Sequence, residues 1–217
     1  MTEPATRYIV IEGPIGVGKT TLCHALAKRL QARVILEVVE ENPFLAGFYA
    51  DRGKHAFQTQ LFFLLSRFKQ QQDLAQLDLF SGATLSDYLF AKDRLFAQLT
   101  LDPQEFLLYR RVYDLMGPRV LRPDLVIYLQ ARLDVLLSRI RKRGREFERR
   151  FDVDYLAALC QAYNEFFFTY DETPLLVVDT SDIDFVARSE DLEGLMTAIS
   201  RMQKGMRHYH PIGAAAR

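Results

Sequence analysis

The chain lacks an imbalance of charge: Lys+Arg and Asp+Glu each number 28 among its 217 residues. Nothing overall therefore argues for nucleic acid or an anionic membrane as a partner. Cysteine is nearly absent as well. Cys23 and Cys160 both fall in expected helices and have no metal-ligand spacing, so reduced thiols are expected rather than a metal site. Long apolar runs are missing too: a stretch such as 61–65 is far too short to span a bilayer. Residues 1–6 hold no apolar segment of the signal-peptide kind, and a reducing cytoplasm is the expected compartment. There is no repeat, linker or low-complexity tract. The whole of 1–217 is expected to be one domain ending in a tail from about 205, frayed over 213–217.

Against these absences stands one strong motif. Gly13, Pro14, Ile15, Gly16, Val17, Gly18, Lys19 and Thr20 match G-x-x-x-x-G-K-[ST]. A β-branched segment over 7–12 precedes it. The helical pattern of 21–30 follows, with Leu22, Ala25, Leu26 and Leu30 on one face. Strand, glycine loop and helix in that order are the context a phosphate-binding loop requires. Glycines let successive backbone N–H groups converge on phosphate oxygens. The helix N-terminus adds partial positive charge, Lys19 a full one, and the Thr20 hydroxyl is a ligand for Mg²⁺. A glycine-rich turn that fits by chance is the plain alternative, and the flanks weigh against it. These eight residues and the adjoining Thr21 are the expected ATP contacts.

Five apolar runs read as strands, at about 7–12, 34–39, 82–86, 124–129 and 175–179. Between them the period is helical over 55–77, 88–99, 104–116, 133–143, 154–170 and 190–202. Alternation of strand and helix, with strands apolar along most of their length, predicts an α/β fold: a five-stranded parallel sheet with helices on both faces. Ligands in such sheets bind beyond the carboxyl ends of the strands. Beyond the second strand stand Glu37, Glu40 and Glu41, one of which could take a proton from a substrate hydroxyl; Glu40 and Glu41 read better as a solvated turn. Beyond the third stands Asp87, suited to Mg²⁺, to the acceptor hydroxyl or to capping a helix from Tyr88. Residues 139–150 hold seven basic residues, among them Arg139, Arg143 and Arg145, interrupted by Gly144. Such a run is usually a solvated face. In a chain that binds a polyphosphate it reads as an arginine lid closing over a transferring phosphoryl group. No guanine-reading N-K-x-D or T-K-x-D tetrapeptide and no L-S-G-G-Q signature is present, which argues against a GTPase and a transport ATPase.

Taken in order, these stations resemble the deoxynucleoside kinase family from about residue 7 to residue 185. The carriers are the loop at 13–20, the run from Glu37 to Pro43, Gln60 with Ser66-Arg67, Asp87 and Asp93, Arg139 with Arg143-Gly-Arg145, and Asp184-Phe185. The resemblance implies the P-loop NTPase fold, with ATP and a deoxynucleoside as substrates, Mg²⁺ as cofactor and a homodimer. It implies Glu37 as general base for the sugar 5′-hydroxyl and, with Thr20, near the metal. Gln60 and Arg67 are similar to the residues that hydrogen-bond the base, Asp93 to the carboxylate paired with that arginine, and Phe96 to the ring stacked on the base. Tyr49 and Glu148 would hold the 3′-hydroxyl. Arg139, Arg143 and Arg145 match the lid, and Asp184 and Phe185 the contacts to the adenine of ATP. Asp87 keeps the family's acidic position, but Tyr88 stands where the family usually has arginine, so either a lid arginine covers that role or the substrate preference and rate differ.

The nearest rival is a nucleoside monophosphate kinase of the thymidylate kinase type, which favours a D-R-Y segment that Asp87-Tyr88 fits poorly. A non-catalytic ATP sensor is the rival of another class; it needs neither Glu37 nor the lid arginines. Adenine and cytosine offer an amine beside a ring acceptor, which suits Arg67 held by Asp93, and guanine offers N7 and O6 to Arg67 alone. Deoxyadenosine, deoxyguanosine or deoxycytidine is therefore expected over thymidine.

Overall fold

In the computed structural model, the described residues are 8–77, 82–148, 152–185 and 188–210. The order is β1 (Tyr8–Glu12), α1 (Lys19–Leu30), β2 (Arg33–Ile35), α2 (Leu45–Ala50), α3 (Arg52–Leu77), β3 (Thr84–Ser86), α4 (Lys92–Thr100), α5 (Pro103–Met116), β4 (Leu125–Gln130), α6 (Leu133–Arg143), α7 (Val153–Phe168), β5 (Leu175–Asp179), α8 (Ser189–Ser200) and β6 (Met206–Tyr209). The strands form one sheet in the order β2-β3-β1-β4-β5-β6, and every pairing is parallel. All five residues of β1 and the first five of β4 are buried, so helices cover both faces, as continuous apolar strands require. From α1, Leu22, Cys23, Leu26 and Ala27 pack into the same core. Each fully buried leucine or isoleucine there stabilises the fold by about 1.5–3 kcal/mol.

Among the described residues the sheet has six strands, not five. Met206–Tyr209 lies in the stretch expected to be a tail, yet it pairs with β5. Three of its residues are exposed and Tyr209 alone packs against the core, so backbone hydrogen bonding rather than a continuous apolar face holds this edge strand. The segment 213–217, expected to fray, and the basic residues Arg149 and Arg150 lie outside the described residues.

Two other boundaries move for a reason that matters to function. The second strand ends at Ile35 rather than near residue 39, because the Glu37 N–H donates to Asp87 Oδ1 at 2.7 Å instead of continuing the ladder. The fourth helix begins at Lys92 rather than Tyr88. Residues 87–91 form a turn in which the Leu89 N–H donates to Glu12 Oε2 at 2.6 Å and the Tyr88 N–H to Ser86 Oγ at 3.3 Å. Side-chain acceptors thus take backbone donors that strand and helix would otherwise have used. Both departures sit at the carboxyl edge of β1, β2 and β3.

Candidate active site

The loop between β1 and α1 is shaped by its glycines. Gly13, Gly16 and Gly18 all have positive φ. At Gly13, with φ at +151°, a Cβ would stand 2.4 Å from the Leu129 carbonyl oxygen of β4. That oxygen belongs to a central strand and cannot swing aside. We expect Gly13→Ala to cost about 2–4 kcal/mol, read as a lowered Tm; an unchanged Tm would mean that the loop is not held against β4. Within the loop, Lys19 Nζ donates to the carbonyls of Gly13 at 2.7 Å and Pro14 at 3.2 Å. Burial first, and the Lys92 charge second, pull its pKa down to about 8.

Beside this loop lies a cavity bordered by Ile15, Gly16, Lys19 and Thr20 on one side and by Gln60, Phe63 and Arg67 of α3 on another. Glu37 joins the two sides. Its N–H is bonded to Asp87, whose Oδ2 accepts the Thr20 hydroxyl at 2.5 Å. Its carboxylate oxygens accept from Arg67 and, at 3.1 Å, from Lys92 Nζ. Burial alone would raise the Glu37 pKa, but the charges of Arg67 and Lys92 outweigh it and hold the carboxyl well below the usual range. This is an ionised carboxylate fixed between two cations beside the glycine loop.

The cavity also takes in Tyr49, Asp87, Phe96, Arg143, Arg145 and Glu148 from the sequence reading. Glu148 accepts from Arg143 Nε at 3.1 Å and again from its terminal nitrogen. Tyr49 stacks on Phe147 with centroids 5.5 Å apart. Burial, then Tyr155 and Glu148, raise its phenol far above the ordinary value, so Tyr49 stays a neutral hydrogen-bond donor. Arg145 pairs with Glu40 at 3.4 Å.

Beyond the glycine loop and the adjoining Thr21, four expected site residues lie outside the cavity lining. Asp93 is fully buried behind Arg67, with which it forms an ion pair, and does not border the cavity. Arg139 was grouped with the lid, yet it does not border the cavity. Its guanidinium donates to the carbonyls of Val17 at 3.1 Å and Thr180 at 2.7 Å, which ties α6 and the end of β5 to the glycine loop. Asp184 and Phe185 follow Ile183, whose carbonyl also accepts from Arg139 at 3.4 Å; they do not border the cavity. The expected partner of Thr20 near a metal also changes. Both oxygens of Glu37 face cations, and the carboxylate bonded to Thr20 is that of Asp87.

The sequence reading missed Lys92 and Glu12. Glu12 is fully buried at the end of β1, where it accepts from Gly13 N at 2.8 Å and the Tyr163 hydroxyl at 3.0 Å. Lys92 is buried too, with Nζ 3.8 Å from Glu12 Oε2. Its neighbour four positions back, Tyr88, departs from the family pattern; its ring is fully buried and does not border the cavity. No motif marks Lys92. The one available signal was a lysine next to Asp93, at the start of a helix that follows a strand end.

A sequence profile described as deoxynucleoside kinase matches residues 9–203. Deoxyguanosine kinase of Bacillus subtilis is 36% identical over 200 residues, covering 90% of this chain and 97% of that protein. Deoxyadenosine/deoxycytidine kinase of the same organism is 30% identical over 205 residues, covering 91% and 93%. Among solved structures, deoxyadenosine kinase from M. mycoides with bound dATP superposes with a TM-score of 0.78 at 29% identity, covering 89% of this chain and 99% of that one. Among the described residues no helix is long and apolar enough to cross a membrane. The chain belongs to the deoxynucleoside kinase family and is an ATP-dependent phosphotransferase.

Proposed function

We propose that the chain transfers the γ-phosphoryl group of ATP to the 5′-hydroxyl of a deoxyribonucleoside, and accepts deoxyadenosine, deoxyguanosine or deoxycytidine over thymidine. One observation carries this reading: Glu37 links the glycine loop, through Asp87 and Thr20, to Arg67 on the cavity's far wall. A base placed there receives the proton of a hydroxyl that points at the loop. Lys19 and the N–H groups at the start of α1 take the triphosphate, and Asp184 and Phe185, which follow the Ile183 carbonyl bonded to Arg139, take the adenine. Tyr49 and Glu148 hold the sugar 3′-hydroxyl. Arg143 and Arg145, on the cavity rim, close over the phosphoryl group as a lid.

Mg²⁺ fits the pair Thr20 and Asp87. An octahedral Mg²⁺ ion typically takes one or two protein oxygens and completes its shell with phosphates and water, and the two side chains meet at 2.5 Å. When bound, it neutralises charge on the β- and γ-phosphates.

The base is read by Gln60 and Arg67, one a donor and acceptor, the other a fixed donor backed by Asp93. Thymine has no amine to give, and a site built on polar partners rejects a mismatched base because its own groups are left unpaired. We expect kcat/KM for deoxyadenosine to exceed that for thymidine by about 10²-fold or more. Coupled ADP release across the four deoxynucleosides and their monophosphates is the measurement. Turnover of monophosphates alone would transfer the assignment to a monophosphate kinase. The double variant Arg67→Met, Asp93→Ala should collapse the deoxyadenosine-to-thymidine ratio. Because Arg67 also touches Glu37, overall rate falls too, and the ratio is the informative quantity.

A further inference from the structure

Lys92 is the first residue of α4 and is 2% exposed, an expensive place for an ammonium ion. Two carboxylates stand beside it, and neither is both close and free of another cation. Glu37 already has Arg67 on its other oxygen. Glu12 is engaged by Gly13 N, Leu89 N and the Tyr163 hydroxyl, and stands 3.8 Å from Lys92 Nζ, beyond hydrogen-bond reach. Of the three Nζ donors, one hydrogen bond is accounted for among the described residues, to Glu37 at 3.1 Å. Lys92 nonetheless borders the cavity, together with Lys19, Glu37 and Asp87.

We propose that Lys92 is a catalytic cation on the acceptor side of the reaction, which exchanges Glu37 for the transferring phosphoryl group during phosphoryl transfer. The inference rests on the kinase reading above and adds a residue to it. In the step, the acceptor O–H bond breaks and its proton passes to Glu37. The acceptor oxygen forms a bond to the γ-phosphorus, the bond to the bridging oxygen breaks, and ADP leaves with that electron pair. Glu37 then releases the proton to water. At the moment Glu37 becomes neutral, its two cations lose their shared partner. Arg67 keeps Asp93; Lys92 keeps only the more distant Glu12. The new phosphate monoester brings negative charge to the same place. The ammonium is thus bound more tightly to the transferring group than to the ground state, which is what accelerates a reaction. Lys19 faces the same group from the loop, so the phosphoryl moves between two ammonium ions.

The test compares Lys92→Met and Lys92→Arg with wild type in coupled ADP release over pH, alongside titrations of the deoxynucleoside and of its 5′-monophosphate. We expect Lys92→Met to lower the pH-independent plateau of kcat by about 10²–10³-fold. Its affinity for the deoxynucleoside should stay within about threefold and its affinity for the monophosphate should fall at least about tenfold. Lys92→Arg should recover much of both losses. If Lys92 served only as a counter-ion that keeps Glu37 ionised, the acid limb of the profile would move and the plateau would return at higher pH; that result overturns the proposal. A wild-type plateau in Lys92→Met overturns it as well. Lys92→Gln carries the same expectations should the methionine variant not fold. A wild type that phosphorylates no deoxynucleoside refutes the kinase reading itself, whereas an active wild type matched by Lys92→Met refutes only the role of Lys92.

Discussion

Lys19→Ala abolishes turnover in a protein that still folds. The ammonium donates to the Gly13 and Pro14 carbonyls at 2.7 and 3.2 Å, contacts that a phosphate displaces. It lies at the loop end of the cavity, where γ-phosphate charge shifts as the bond to the leaving oxygen breaks. Removing a positioned donor to developing charge costs about 10²–10³ in kcat, and here a full charge is removed. The fold should not suffer. Burial, then the Lys92 charge, lower the Lys19 pKa from 10.5 to about 8, so the unfolded chain holds this proton more tightly than the folded one. Keeping Lys19 charged therefore costs stability below pH 8, and that cost is relieved as pH rises from 8 towards 10.5. Lys19→Ala should match or exceed the wild-type Tm at pH 7 and lose the rise in relative stability above pH 8. The checks are coupled ADP release and thermal melts across pH. A folded variant with wild-type turnover would overturn the phosphate-loop assignment.

How far such a site can be read in advance depends on how local its causes are. The loop at 13–20 was legible because motif, strand and helix are contiguous, and its backbone needs glycine at fixed positions. The apolar strands β1, β4 and β5 were legible because parallel strands buried on both faces show it in every residue. Met206–Tyr209 was not, since an edge strand held by backbone hydrogen bonds needs no apolar run, and only Tyr209 packs against the core. The Arg67–Asp93 pair came with the family resemblance, and charge supports it: a buried guanidinium demands a carboxylate. Its second partner, Glu37, lies 30 positions earlier in the chain. Lys92 was invisible for the same reason, as its meaning depends on Glu37, 55 positions earlier. The basic run divides in the structure. Three arginines close in sequence read as one lid; Arg139 donates to the Val17 and Thr180 carbonyls, while Arg143 and Arg145 border the cavity and pair with Glu148 and Glu40.

Glu37→Gln should lower kcat by about 10²–10⁴, the usual loss when a positioned base is removed, while deoxynucleoside binding largely survives. The amide keeps the shape of the carboxyl and accepts from one of the two cations, so the cavity wall persists. What disappears is the ability to take a proton from the acceptor hydroxyl. Stability should fall as well, and the sign follows from the pKa. Burial would raise it, but Arg67 and Lys92 hold it well below its ordinary 4.5. The ionised carboxylate therefore contributes stability at every pH above that value, and the contribution is lost only as pH falls through the depressed folded pKa. At neutral pH the variant forfeits all of it. Arg67 then depends on Asp93 alone, and Lys92 on Glu12 at 3.8 Å. The loss is limited because neither cation is left without a carboxylate, which separates this case from the 3–5 kcal/mol typical of a wholly broken buried pair. Glu40→Gln and Glu41→Gln are the controls. Both glutamates are exposed, and Glu40 meets only the half-exposed Arg145 at 3.4 Å, so each variant should keep near-wild-type kcat. If either one loses turnover while Glu37→Gln keeps it, the proton goes to another carboxylate, and the link from Thr20 through Asp87 and Glu37 to Arg67 serves the fold rather than the reaction.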